Sequence, residues 1–337
     1  MRVAFLETAR ASEVSHALTP DLLPAGSGVL VACSGGADST ALAVAAAVRA
    51  AELSIRVVLG HVDHALRADS REDAERVRTL AVELEVGFRC VRLPSLAAQI
   101  RELGLEAAAR EARYEALVTL AREAACDRIA TAHTRRDQAE TILLRLARGA
   151  GPGALAGARR DRPLGGLRLV RPLLDVPREA TEALCAALGL PVASDPHNSD
   201  ARRARARLRA LWPALLEALG PRLEQGLAGS ARIAADEDAL LETLADEALR
   251  DAALDGGLDA GTLARLPAAL LRRCLLAASA GVLRPERSHL EQMVGLLEKR
   301  AACLDVPGGR FRIASGVLRI EARLRPETGA PGRAGAK

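Results

Sequence analysis

The sequence predicts an α/β chain, a doubly wound parallel sheet followed by a mostly α-helical second domain. Three observations predict it. The 337 residues exceed one ordinary compact core. Short apolar runs alternate with helix-spaced segments through the first part of the chain, and from about Gly226 the pattern becomes helical. The apolar runs Gly28–Cys33, Ile55–His61, Gly87–Leu93, Asp127–Ala132 and Leu167–Arg171 read as buried strands. Between them, Ser39–Leu53, Ser70–Glu85, Leu105–Ala125 and Thr134–Arg148 have helical spacing. Such alternation builds βαβ units, with ligands held outside the carboxyl ends of the strands.

The run Gly149–Gly166, rich in glycine and containing Pro152 and Pro163, reads as a loop at the sheet's edge. A helix over Pro177–Leu188, a turn-rich stretch over Pro191–Asp200 and a basic helix over Ala201–Leu219 follow. Further on, Leu240, Leu241, Leu244 and Ala248 share a helical face, and Leu270–Leu276 and Leu290–Leu297 repeat the pattern. Alternation across Ala302–Ile320 around Pro307-Gly308-Gly309 predicts a small hairpin. The expected organisation is a helical lead-in over 1–27, the α/β domain with its basic closing helix over 28–219, a mostly helical domain over 220–324 and a disordered tail over 325–337.

With 49% hydrophobic and 27% charged residues, the composition is unlike that of a disordered chain. Cys33, Cys90, Cys126, Cys185, Cys274 and Cys303 are scattered, without the CxxC pair of a zinc site, cluster or redox dithiol. Charged residues interrupt Met1–Pro24, which excludes a signal peptide's apolar core, and the apolar stretch Thr40–Val48 is too short to span a bilayer. A soluble cytoplasmic protein is expected. The net charge of +4 is too small an average to speak for or against nucleic acid.

The strand Gly28–Cys33 runs directly into Ser34-Gly35-Gly36-Ala37-Asp38-Ser39 and then into a helix. Paired glycines at a strand-to-helix turn let backbone N–H groups converge on an anion, and the Ser34 and Ser39 hydroxyls add donors. The Gly-Lys-Ser/Thr ending of a Walker loop and the spacing of a dinucleotide fingerprint are both missing. The loop resembles the SGGxDS signature of the PP-loop family, with an adenine nucleotide α-hydrolase-like fold. That resemblance implies cleavage of ATP between its α- and β-phosphates and adenylation of a substrate oxygen, with Asp38 helping to hold Mg²⁺.

Four further segments are similar to the tRNA(Ile)-lysidine synthetases. His61-Val62-Asp63-His64-Ala65-Leu66-Arg67 resembles their HVDHGLR segment, with Ala65 at the glycine. Ala109-Arg110-Glu111-Ala112-Arg113-Tyr114 resembles AR..RY; Arg110 and Arg113 share a helical face and could reach phosphate or ribose, or be solvated. Thr131-Ala132-His133-Thr134-Arg135-Arg136-Asp137-Gln138-Ala139-Glu140-Thr141 resembles TAH..DDQAET, with Arg136 in place of the first aspartate. The i, i+4, i+7 spacing of His133, Asp137 and Glu140 suits a cationic substrate, a metal, or simply a helix cap. Finally, Asp195-Pro196-His197-Asn198-Ser199-Asp200 precedes Arg202, Arg203, Arg205, Arg207 and Arg209, a cluster suited to RNA phosphate.

The resemblance implies an ATP-dependent ligase that joins free L-lysine to the wobble cytidine of isoleucine tRNA with a CAU anticodon. ATP and Mg²⁺ are the implied cofactors. Ser34, Gly35, Gly36, Ala37, Asp38, Ser39, His61, Arg110 and Arg113 are expected on ATP, while His133, Asp137 and Glu140 are expected to serve lysine and proton transfer. Asp137 and Glu140 stay open as alternatives for lysine recognition, and a homodimer stays open too. The rival readings are a PP-loop tRNA thiolation enzyme, which the lack of CxxC opposes, and an inactive RNA-binding relative.

Overall fold

The computed structural model describes residues 2–63, 70–94, 105–193, 204–283, 285–297, 299 and 301–322. His64, Ala65, Leu66, Arg67, Asp195 to Asp200, Arg202, Arg203 and the expected tail over 325–337 lie outside the described residues. The chain divides into two compact units, 1–235 and 236–337.

In the first unit, strands β1 (Gly28–Ala32), β2 (Arg56–Asp63), β3 (Gly87–Arg92), β4 (Arg128–Ala130), β5 (Asp161–Leu164) and β6 (Leu167–Val170) form one sheet in the order β3-β2-β1-β4-β6-β5. β1 pairs in parallel with β2 on one side and β4 on the other. β6 continues in parallel from β4, and only β5 is antiparallel. The order reverses at β1, so a crevice opens between the carboxyl ends of β1 and β4, where open α/β sheets take their ligands.

Burial on both faces accounts for the continuous apolar β1, whose Val29, Leu30 and Val31 are wholly inaccessible. One face packs α1 (Arg2–Arg10), α2 (Glu13–His16), α3 (Ala37–Leu53) and α4 (Ser70–Glu83) around Leu18, Leu23, Leu42 and Leu59. The other packs α5 (Leu105–Glu123), through Leu117 and Ala121, against Leu30, Ile129 and Leu169. Then come α6 (Arg135–Leu146), α7 (Pro152–Leu155), a 3₁₀ turn (Pro172–Asp175), α8 (Arg178–Ala187) and α9 (Ala204–Leu219).

The expected loop over 149–166 needs correction, because it contains α7 and β5. Pro163 and three arginines, Arg159, Arg160 and Arg162, mask a strand in the sequence. An edge position tolerates both, since one side of an edge strand needs no ladder donor.

The boundary between the units falls within α10 (Leu223–Asp251). The second unit holds α11 (Ala260–Ala264), α12 (Ala268–Ser279), α13 (Arg287–Leu296) and a five-stranded antiparallel sheet, β7-β8-β11-β10-β9. Its strands are β7 (Ala253–Leu254), β8 (Gly257–Asp259), β9 (Ala301–Val306), β10 (Gly309–Ala314) and β11 (Val317–Ala322). The expected hairpin is thus part of a larger sheet: Ser315 (φ 53°) and Gly316 (φ 78°) turn the chain once more inside what reads as a single alternating run. Phe311, Leu263, Leu275, Met293 and Leu318 form a separate core there. Among the described residues no helix is long and apolar enough to cross a membrane.

Candidate active site

The loop Cys33–Ser39 leaves β1 at the crevice. Gly35 has φ +85°, a left-handed conformation that a side chain would strain, and this bend brings the chain round into α3. Ser39 organises the turn: its Oγ accepts the Ser34 N–H at 3.1 Å, donates to the Gly36 carbonyl at 3.0 Å and lies 3.2 Å from Ser34 Oγ. Gly36 caps α3 with no side-chain bond, so the first-turn N–H groups are left to an anion drawn by the helix dipole. Behind the loop, buried His61 sets Nδ1 2.9 Å from the Cys33 carbonyl. His61 therefore braces the loop's backbone.

Asp38, in the first turn of α3, accepts a hydrogen bond from the Thr181 hydroxyl of α8. Burial pushes its carboxyl above the usual range, and the negative charges of Asp137 and Glu182 add to this, while Thr181 and Arg178 oppose it. Two carboxylates from different strand ends, Asp38 after β1 and Asp137 after β4, thus face the same crevice.

His133 stands before α6, with Nδ1 3.0 Å from the Thr131 hydroxyl. Burial, together with Arg171, Arg113 and Arg110, pushes its imidazole down to about 3 despite Asp137, so it is neutral at physiological pH. Asp137 accepts the Thr134 N–H at 3.0 Å and an Arg209 N–H at 3.0 Å. Burial resists its ionisation, yet the Thr134 N–H and the guanidinium groups of Arg209 and Arg205 hold its carboxyl below the usual range.

Glu140 is wholly buried. Arg209 Nε donates to it at 2.7 Å and Arg205 lies 3.3 Å from its other oxygen. Burial raises its carboxyl above the usual range even so. The expected common face of His133, Asp137 and Glu140 therefore divides: the first two meet at the crevice, and Glu140 turns inward to α9. Arg205 and Arg209, expected on RNA phosphate, meet carboxylates here, with Arg205 also donating to Thr141 at 3.0 Å. Arg207 is exposed.

Arg136 donates to Glu224 and, at 2.7 Å, to Glu179, and its guanidinium lies 5.1 Å from the ring of Trp212. Trp212, 1% exposed, donates to the same Glu224 at 3.0 Å. This hub ties the start of α6, which carries Asp137, to α8, α9 and α10. Arg110 and Arg113 flank Tyr114 on α5, at 5.3 and 5.4 Å from its ring.

Sequence reasoning overlooked Thr181 and Arg178, whose only signal is a polar side chain on the buried face of α8. It also overlooked the partnership of Arg171 with Tyr114. Tyr114 lies in a quoted motif and Arg171 ends an expected strand, but their contact spans 57 positions of sequence.

A strand, phosphate loop and helix facing a carboxylate-bearing helix across a topological switch point define an ATP-using PP-loop protein, and the PP-loop domain family matches residues 6–215. The relatives narrow this further. The tRNA(Ile)-lysidine synthase of Salinispora tropica is 47% identical over 264 residues, 78% of this chain and 78% of that one. Those of Methylobacterium nodulans (42% identical, 87% and 86% covered) and Gloeobacter violaceus (41%, 82% and 84%) agree. The chain belongs to the tRNA(Ile)-lysidine synthase family. Among solved structures, the U34-tRNA thiolase NcsA from Methanococcus maripaludis superposes with a TM-score of 0.56 at 18% identity, covering 68% of this chain and 78% of that one, a likeness of fold.

Proposed function

We propose that this chain joins free L-lysine to C2 of the wobble cytidine in isoleucine tRNA bearing CAU, in two steps. The cytidine carbonyl oxygen attacks the α-phosphate of ATP and pyrophosphate leaves. Lysine's amine then attacks C2, AMP departs with that oxygen, and the amine gives up a proton. The observation that carries this reading is the crevice itself, where the phosphate loop after β1 and the His133–Asp137 pair after β4 stand across one opening.

In this reading Ser34 to Ser39 cradle phosphate through backbone N–H groups and hydroxyls, and His61 fixes the loop from behind. Asp38 and Asp137 repel one another across the crevice, which suits a cationic substrate group between them. Mg²⁺ takes one or two carboxylates plus phosphate oxygens, so Asp38 together with the phosphates fits it and leaves Asp137 to lysine. Bound there, Mg²⁺ would neutralise phosphate charge. Asp137, ionised and partly open, is our candidate for orienting lysine and accepting its proton. Glu140 is too buried to touch a substrate and instead positions Arg209. His133, neutral, can donate or accept a hydrogen bond without adding charge. We place the reaction in the cytoplasm, where tRNA, ATP and lysine meet.

Omitting lysine tests the order of steps. An AMP–tRNA adduct should accumulate, and Asp137→Asn should still form it but convert it slowly once lysine is added. An Asn variant that cannot adenylate tRNA would move Asp137 to the ATP and metal site.

A further inference from the structure

A second group of cations joins α5 to the outer strands β5 and β6. Arg110, Arg113 and Arg162 place their guanidinium carbons 5.3, 5.4 and 5.3 Å from the centroid of one ring, that of Tyr114. Behind the ring Arg171, 2% exposed, lies 3.5 Å from the phenolic oxygen, and its Nε is buried without a partner. Among the described residues none of these arginines is in an ion pair with a carboxylate. Arg136, Arg205 and Arg209, by contrast, are held by carboxylates.

Stacking on a ring occupies the face of a guanidinium and leaves its in-plane N–H donors pointing outward, the edge that matches a phosphate. Four cations gathered without a counter-anion repel one another, and an anion would repay that repulsion. Neighbouring groups register the excess positive charge. Although burial opposes it, Arg110, Arg113 and Arg171 bring the Tyr114 phenol down to about 8, and the same three arginines help to keep His133 neutral.

Position decides which anion. The phosphate loop follows β1, His133 follows β4, Arg171 follows β6, and Arg162 lies on β5. Arg171 and Arg162 therefore sit on the far side of His133 from the loop, and the ring of Tyr114 gathers Arg110 and Arg113 of α5 towards Arg162. A triphosphate cradled at β1 leaves the array to a different phosphate, and the other substrate of the proposed reaction is a polyanion. We infer that Arg110, Arg113 and Arg162, held by Tyr114 and backed by Arg171, form a phosphodiester site that grips the RNA backbone beside the reacting nucleotide. The assignment of Arg110 and Arg113 passes from ATP to RNA, and it rests on the tRNA-modifying reading above.

The test uses the full chain with Arg113→Gln, Arg162→Gln and, as a control that keeps the ring, Tyr114→Phe. Each variant is first shown by circular dichroism to melt like the parent. Binding of isoleucine tRNA is measured across a salt series, and ATP binding is measured separately. Each Arg variant should bind tRNA about three- to tenfold more weakly, with a salt slope shallower by about 0.7–0.9 per lost contact, while ATP affinity stays within about twofold. Tyr114→Phe should keep the parental slope. Unchanged tRNA slopes in both Arg variants would overturn the proposal, and so would weakened ATP binding with intact tRNA binding, which would return the array to the triphosphate. Lysine incorporation by the unmodified chain is assayed in parallel. Its failure would remove the proposed reaction, whereas the slopes report on the array alone.

Discussion

Asp38 shows how a functional residue is held against its own stability. Its carboxyl is raised by burial and by the charge of Asp137, so the fold binds its proton more tightly than the unfolded chain does. The stability tied to that proton is present below 3.8, the ordinary value for an aspartate, and is lost as pH rises through the raised value in the fold. At neutral pH the ionised side chain therefore costs stability. Asp38→Asn keeps an acceptor for Thr181 and should melt higher than the parent at pH 7, with the difference shrinking as the solution is acidified, yet it should release no pyrophosphate. A variant that melted lower at pH 7 would contradict the burial argument, and one that turned over ATP normally would remove Asp38 from the phosphate site. The loop around Asp38 was legible in the sequence because its donors are consecutive. Thr181, its hydrogen-bond partner, lies 143 positions away and carried no local signal.

Helix α6 reaches its neighbours through charge. Glu140 on its buried side is matched by Arg209 and Arg205, and Arg136 at its start is matched by Glu179 and Glu224. Glu140→Ala would leave two guanidinium groups beside an apolar gap. It should cost about 3 kcal/mol, the lower end for a broken buried pair because both arginines keep some access to water. Chemical denaturation measures this, and a loss below about 1 kcal/mol would mean the arginines find water instead. Periodicity placed α6 correctly, but it could not show which side of the helix meets the crevice. Helical spacing assigned His133, Asp137 and Glu140 to one face, whereas the helix begins only at Arg135, leaving His133 in the turn before it. Likewise, arginines dense enough to suggest RNA contact turned out to include two paired with carboxylates, a distinction that only the packing of α9 on α6 reveals.

Across the whole molecule, the parallel sheet and the strand-loop-helix unit were readable from alternation. The five-stranded sheet of the second unit was not, because two- and three-residue strands such as Ala253–Leu254 and Gly257–Asp259 carry too little pattern. That unit has its own core around Phe311, which is wholly buried. We expect it to contribute to RNA binding. Phe311→Ala should remove about 3–5 kcal/mol from it and weaken tRNA binding, while ATP binding in the first unit persists. Hydrogen exchange localises the loss, and equal loosening of β1 would show that the two cores unfold as one. Incubation with ATP, radiolabelled lysine and isoleucine tRNA bearing CAU tests the joining of lysine to cytidine by way of adenylation. Label should be held covalently at the wobble nucleoside, with one AMP and one pyrophosphate released for each lysine joined. ATP cleavage with no label in the tRNA, or a thionucleoside formed when a sulfur donor is supplied, would contradict it.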